Sequence, residues 1–333
     1  MPNTHAAPFG MRHRSPLLAY LCLGSAMALV GGYVGLSKLL VAVFPVFLLA
    51  WMRFGIAAVA MASWTRSAPD EPVLSARDRK LLFLESFFGN FLFSVCMLYG
   101  IALTSALAAG VIMAALPAVV ALLSRVFLRE RIALRTVAGI ACAVGGIALV
   151  SFAKPDTASA AHSMLGNFML MAAVTCEAIY VVVGKQLTGK VSPKRISALI
   201  NLWGLALVTP LGIWQALRFD FSAVPAASWW LLVFYAVAAS MVTVWLWMTG
   251  LKHVPASSAG VFTVFLPVTA AAVGVVFLGE RISAVQAAAF GLALLGVVLA
   301  TWPRSEVLSG VVSGVVSGVV LDTDKGRADS TER

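Results

Sequence analysis

The stretch GVIMAALPAVVALLSRVFLRERI at positions 110–132 returns 150 positions later, as GVFTVFLPVTAAAVGVVFLGERI at 260–282. The two copies agree at 11 of 23 positions, and the leading glycine, the proline and the closing Glu-Arg-Ile stay in register. A shared apolar composition would give a few matches, but it would not align these particular residues. The pattern indicates that the chain arose by duplication.

The composition requires an apolar solvent for most of the chain. Of its 333 residues, 61% are hydrophobic and 11% are charged, with a mean hydropathy of +0.95. A soluble domain is nearer half apolar and a quarter charged. The bilayer is therefore the predicted environment. The net charge is +10, and the basic residues lie between the apolar runs. Membrane topology explains this distribution better than a nucleic-acid partner does.

No cofactor or metal is expected. The four cysteines lie inside apolar runs without a CxxC pair, and the four histidines lie in termini or connections. These cysteines are best interpreted as small buried hydrophobic side chains. The residues in question are Cys22, Cys96, Cys142, Cys176, His5, His13, His162 and His253.

Ten apolar runs are about long enough to cross a bilayer. The first continues without a cleavage site and is therefore interpreted as a retained span rather than a signal peptide. The very short links after the third and eighth runs leave open a merged helical hairpin at each place. The predicted spans are 16–37, 45–64, 81–101, 105–127, 135–153, 164–187, 196–216, 228–250, 255–278 and 284–302.

The distribution of lysine and arginine predicts the orientation. With a cytoplasmic N-terminus, the inner segments hold 19 of these residues and the outer segments hold 4. The positive-inside rule therefore places both termini in the cytoplasm of a cell (inner) membrane protein.

The repeat then has a geometric consequence. Each unit contains five spans, and an odd number of crossings inverts the second copy. Glu130-Arg131 is thus expected on the cytoplasmic face and Glu280-Arg281 outside. The predicted fold is an all-α membrane protein with ten transmembrane helices arranged as two inverted five-helix repeats. Its predicted parts are a cytoplasmic N-terminus (1–15), a first repeat (16–153), an external linker (154–163), a second repeat (164–303) and a low-complexity cytoplasmic tail (304–333).

These features resemble the drug/metabolite transporter superfamily in its EamA-type ten-helix branch. The likeness covers about residues 17–303 and rests on Pro117 with Glu130-Arg131, and on Pro267 with Glu280-Arg281. Trp51-Met52-Arg53-Phe54 is similar to an Arg-Phe element of that family's second span. The resemblance implies an inner-membrane carrier with a central cavity between its halves, commonly an exporter of amino acids or related small metabolites.

Charged residues inside spans are the first candidates for a substrate site, because each costs roughly 2.5–3.5 kcal/mol to insert. Glu177, near the middle of the sixth span, is a candidate proton or amine site, or else part of a structural contact. Arg53 in the second span could pair with Glu177, bind a carboxylate, or cap a neighbouring helix. Glu85 lies one turn from Arg79 and Lys80 and is expected to reach the headgroup region.

Other candidates are polar, aromatic or helix-shaping residues at membrane depth. Apolar cavities with a few hydrogen-bonding groups suit small amphipathic molecules. Gly31 and Gly35 have the spacing of close helix packing, and Pro117 and Pro267 each remove a mid-helix hydrogen bond and could serve gating. The remaining cavity candidates, each with plain helix packing as the alternative, are Tyr33, Asn90, Tyr99, Tyr180 and Trp245.

Three classes of function were weighed. A secondary transporter working by alternating access leads, with a small-molecule substrate and membrane lipid as its partners. ATP is not expected to drive it directly, since no GxxxxGK[ST] motif occurs. The predicted spans contain no histidine or aspartate, so an intramembrane enzyme is not expected. A channel or a non-transporting scaffold remains the alternative. Substrate, direction, coupling ion and oligomeric state stay open.

Overall fold

The computed structural model describes residues 16–67, 71, 73–128, 134–152, 160–187, 191–253 and 260–301. Within these ranges the chain is helical, joined by short turns. The predicted N-terminus, the tail beyond 301 and the motif residues Glu130 and Arg131 lie outside the described residues.

Thirteen helices are described. They are α1 (Pro16–Val41), α2 (Val46–Ala60), α3 (Ala76–Glu85), α4 (Phe93–Leu103), α5 (Ala106–Met113), α6 (Leu116–Leu128), α7 (Leu134–Phe152), α8 (Ala160–Leu187), α9 (Pro193–Ala216), α10 (Ala226–Val237), α11 (Thr243–His253), α12 (Phe265–Val276) and α13 (Ala284–Thr301). Short 3-10 segments cover Ala62–Thr65, Phe221–Ala223 and Gly260–Val264.

Five continuous helical stretches are long and apolar enough to cross a membrane: Leu18–Val41, Ala76–Leu103, Met164–Gly184, Pro193–Ala216 and Ala226–His253. Five shorter apolar helices have 10–17 residues; three lie between the long stretches and two follow the last of them. Each of the ten falls on one predicted span. The protein is an all-helical, multi-pass membrane protein.

The third and eighth predicted spans each contain a π-helical turn. Ser86–Leu92 joins α3 to α4, and Ala238–Val242 joins α10 to α11. Residues 88–92 and 238–242 are 150 positions apart, the same offset as the sequence repeat. Such turns insert a residue into the helical ladder and often occur at functional sites. Nothing in the apolar pattern predicted them.

The fourth and ninth spans change their helical form near the repeated prolines. The predicted span 105–127 divides at Ala114–Ala115 into α5 and α6, so that Pro117 is the second residue of α6. In the other half a 3-10 segment runs directly into α12, whose third residue is Pro267. Proline lacks an N–H and its ring clashes with the carbonyl four residues back, so each proline lies where the regular α-helical ladder begins again.

The boundary after the third span agrees with the predicted separate spans, whereas the start of the sixth differs from its prediction. The link after the third span contains only Thr104 and Ser105 between α4 and α5, yet the two helices are separate. Ser105 begins α5 as its N-cap, accepting a hydrogen bond from the N–H of Ala108. Helix α8 begins at Ala160, inside the segment predicted as a linker.

Helices α7 and α13 pack against each other through a reciprocal contact. Gly146 has no side chain, so the carbonyl oxygen of Ala289 can lie only 2.9 Å from where a Cβ on Gly146 would be. Gly296 meets the carbonyl oxygen of Gly139 in the same way, at 2.8 Å. Gly146 and Gly296 are 150 positions apart, and so are Gly139 and Ala289, which matches the offset of the sequence repeat. The same contact is therefore made twice, once from each copy of the repeat.

Candidate functional site

A group of polar side chains lies where helices of the two halves meet. Arg53 on α2 is 3% exposed and donates from Nη2 to Ser94 Oγ on α4 at 2.6 Å. Ser94 in turn donates to the carbonyl oxygen of Asn90, in the π-helical turn. The guanidinium of Arg53 also lies 5.5 Å from the ring centroid of Tyr235 on α10. Arg53 thus joins both halves.

Three tyrosines complete this group. The rings of Tyr33 on α1 and Tyr235 meet edge to face, with 5.6 Å between centroids. Tyr180 on α8 packs its ring against Gly89, where a Cβ would lie 2.7 Å from the ring's Cγ. Tyr33 also interacts electrostatically with Glu177 and Arg53.

Two carboxylates border the tyrosines. Glu177 on α8 is half-buried, whereas Glu85 at the end of α3 is fully buried. Glu177 lies one turn before Tyr180 on α8, and the Glu85 carboxylate packs beside Gly184 on the same face of that helix. We call the eight residues so far described the central polar cluster: Tyr33, Arg53, Glu85, Asn90, Ser94, Glu177, Tyr180 and Tyr235.

The burial of Glu85 corrects the expectation that its carboxylate reaches the headgroup region. Its side chain is 0% exposed, and its Oε1 lies 2.7 Å from the position of a Cβ on Gly184. Helix α8 therefore covers Glu85 and blocks the path toward Arg79 and Lys80. Counting turns along one helix could not reveal a neighbouring helix.

Several buried polar atoms near this interface have no hydrogen-bond partner within the described part of the chain. Buried polar groups are normally paired, so a group of exceptions calls for an explanation such as a bound molecule or water. The atoms are Arg53 Nε, both carboxylate oxygens of Glu85, Asn201 Oδ1, Tyr235 Oη, Ser240 Oγ and Thr243 Oγ1.

The structure brings together five of the seven predicted cavity residues: Tyr33, Arg53, Asn90, Glu177 and Tyr180. Arg53 does not form an ion pair with Glu177; it binds Ser94 instead.

The other two predicted cavity residues have different surroundings. Tyr99 packs edge to face on Phe47, with 5.9 Å between ring centroids. Trp245 is 36% exposed and lies against Trp64.

Sequence reasoning missed Tyr235 and underrated Glu85. The two stand 150 positions apart, each just before its π-helical turn, so aligning the two copies beyond 110–132 would have drawn attention to both.

The predicted packing residues lie against α12. A Cβ on Gly31 would overlap the side chain of Thr269 and the carbonyl oxygen of Leu266. One on Gly35 would lie 2.7 Å from Val273 Cγ1. This GxxxG face thus lets α1 approach the proline-containing helix of the other half backbone to backbone.

The second Glu-Arg-Ile motif holds two halves together at one end. The carboxylate of Glu280 accepts hydrogen bonds from the N–H groups of Ala106 at 2.8 Å and Leu107 at 3.0 Å. These are free donors of the first turn of α5, where a negative charge is favourable. Lys38 donates to the carbonyl of Thr104 beside it. Arg281 is exposed.

The opposite end has its own contact between halves. Glu71 accepts from the N–H of Ser192 at 2.6 Å and pairs with Arg195 at 3.1 Å. The ten predicted spans place Lys38, Thr104 and Glu280 on the outer side, and these residues belong to segments that are in contact. The same spans place Glu71 and Arg195 on the inner side, and these two residues are in contact as well.

Comparisons with known proteins agree with this architecture. An uncharacterized transporter, YetK of Bacillus subtilis (strain 168), is 34% identical over 273 residues, covering 81% of this chain and 83% of that protein. A second one from this bacterium, YyaM, is 24% identical over 294 residues, covering 87% and 95%.

A crystal structure of a protein 20% identical to this chain superposes with a TM-score of 0.59 and covers 85% of this chain and 96% of its own. That likeness shows a shared fold. The EamA-like transporter family matches residues 17–152 and again 164–302, one match for each half. The chain belongs to the EamA-like transporter family, of the drug/metabolite transporter type.

Proposed function

We propose that the protein is a secondary transporter that exports amino acids or related small metabolites by alternating access, with the central polar cluster as its substrate site. One observation carries this proposal. Charged and polar side chains from both halves converge at the interface, and several buried atoms among them lack a partner. A substrate with complementary groups would satisfy those atoms.

The helix geometry supports a site that faces each side in turn. Broken helices and inverted repeats are common around substrate sites of secondary transporters. Here the helix of the fourth span is interrupted at Ala114–Ala115, and the ninth span changes from 3-10 to α-helix at the equivalent residues Val264 and Phe265. The doubled contact between α7 and α13 is what a two-fold relation between the halves requires.

Metabolite export tests the function. We expect cells overproducing the protein to accumulate one or a few amino acids or related compounds outside, and cells lacking it to retain them. Mass spectrometry of the medium measures this. The identified compound should then show saturable counterflow in proteoliposomes, which a channel would not produce. An unchanged medium in both strains would count against export.

Cysteine labelling tests the inverted arrangement. Arg77 and Ala227 are exposed and stand 150 positions apart, at equivalent places in the two halves. We expect a membrane-impermeant maleimide added to intact cells to label Ala227→Cys but not Arg77→Cys, with the unmodified protein as background. Permeabilised cells should label both. Labelling of both variants in intact cells would rule out inversion.

A further inference from the structure

Neither Glu85 nor Glu177 has a counter-ion among the residues that the structure describes. Glu85 is 0% exposed, and neither of its oxygens has a hydrogen-bond partner among the described residues. Glu177, also at membrane depth, lies on the same face of α8 as Gly184, beside which the Glu85 carboxylate packs. Removing a charge from water without pairing it is costly, so an unpaired carboxyl group at membrane depth either takes up a proton or pairs with a cation that comes from outside the chain.

Two basic residues of the first half, Arg53 and Lys38, make contacts with other groups. Arg53 Nη2 donates to Ser94 Oγ at 2.6 Å, and its guanidinium lies 4.2 Å from the ring centroid of Phe54. Lys38 donates to the carbonyl of Thr104 at the end of the bundle. The described residues contain an ion pair of Glu71 with Arg195, but none involving either of these two carboxylates.

The surroundings of Glu85 and Glu177 suit an organic cation. Tyr180 lies one turn from Glu177 on the same face of α8, and its ring packs against Gly89, about one turn after Glu85. Aromatic faces attract ammonium groups. Gly184 has no side chain to separate α8 from the Glu85 carboxylate.

We infer that the ammonium group of an amine-bearing substrate binds between Glu85 and Glu177, beside Tyr180. This inference rests on the proposed transport function and narrows its substrate class: the transported molecule must carry a protonated amino group. An ammonium offers three donors, and the unpartnered oxygens of Glu85 can accept them.

Binding of matched compounds to the purified full-length protein tests this inference. The probes are phenethylamine, phenylalanine and 3-phenylpropionate, which share a ring, and pentylamine, norleucine and hexanoate, which share a chain. We expect thermal stabilisation by amine-bearing members of at least one set and none by either carboxylic acid. Stabilisation by the amine alone would indicate simple amines, and stabilisation by the amino acid would indicate zwitterions.

Glutamine variants locate the binding site. We expect Glu85→Gln and Glu177→Gln each to weaken amine binding by about tenfold or more, because each loses a charge-assisted contact. The matched control is Asp220→Asn in an exposed loop, where the hydroxyl and N–H of Ser222 hold the pKa of the Asp220 carboxyl below its usual range. That variant should bind normally. If Glu85→Gln does not fold, Glu177→Gln, at a half-buried position, carries the test.

Three results would overturn the inference: acids that bind as well as the amines, normal binding by both glutamine variants, or no stabilisation by any amine. Flux in proteoliposomes separates this failure from failure of the transport function. Saturable counterflow of an acid alone would preserve transport and remove the ammonium site. Amine binding at the two glutamates without any flux would preserve the ammonium site and count against the transport function.

Discussion

Replacing Gly31 by alanine should destabilise the protein by about 1–3 kcal/mol, the usual effect of forcing a methyl group into a packed interface. The new Cβ would overlap the side chain of Thr269 and the carbonyl oxygen of Leu266. A backbone carbonyl cannot change rotamer, so α1 and α12 would have to separate. The loss should appear as a lower denaturant midpoint in reversible unfolding from mixed micelles.

The neighbouring residue supplies the control. Gly32 is on the same helix, and a Cβ there would meet no atom within 4 Å. Gly32→Ala should therefore leave stability unchanged or raise it slightly, since alanine favours helix more than glycine does. Equal effects of the two substitutions would mean that helix propensity, and not the contact with α12, determines the outcome.

The same contact has a consequence for function. Gly31 and Gly35 of α1 pack against α12, which contains Pro267 and follows the 3-10 segment. Any movement of α12 relative to α1 therefore changes the contact at these two glycines. A variant that still folds but holds α1 away from α12 should transport more slowly, even though neither glycine belongs to the central polar cluster. Counterflow by Gly35→Ala, compared with Gly32→Ala, measures this effect.

Some of this architecture was predictable because it depends on local composition. Apolar length identified each of the ten helical regions, and the repeated proline marked where the fourth and ninth spans are interrupted. The form of the interruption was not predictable, because a proline is compatible with a kink or with a complete break, and packing decides between them.

The candidate site was harder to predict because it depends on which helices are neighbours. Glu177 and Tyr180 were singled out as polar residues deep in one span, and they do lie together. Glu85 was assigned to the membrane surface because Arg79 is near it in sequence, whereas α8 is what buries it. Depth along a helix can be counted in a sequence, but burial by another helix cannot.

The Glu280 carboxylate gives the other large expected effect. Glu280→Ala would leave the N–H groups of Ala106 and Leu107 without their acceptor and remove a negative charge from the start of α5. Hydrogen bonds to charged groups contribute about 1.5–3 kcal/mol, and we expect a loss of that size. Glu280→Gln, which keeps one acceptor oxygen, should lose less.

Hydrogen–deuterium exchange locates the effect. The amides of Ala106 and Leu107 should exchange faster in Glu280→Ala, while those in the middle of α9 keep their protection. Arg281→Ala is the matched control, since Arg281 is adjacent and exposed. Unchanged exchange at Ala106 and Leu107 in Glu280→Ala would show that another acceptor satisfies these amides.

The backbone explains why a glutamate after Phe-Leu-Gly reaches this position. Gly279 has a φ of +64°, which glycine adopts without strain. That turn lets the N–H of Glu280 bond to the carbonyl of Gly274 at 2.9 Å, so the chain folds back over the end of α12. Gly279→Ala should therefore displace the carboxylate and reproduce part of the Glu280→Ala exchange pattern with the glutamate still present. If Gly279→Ala leaves exchange at Ala106 and Leu107 slow, the glutamate reaches α5 without help from this turn.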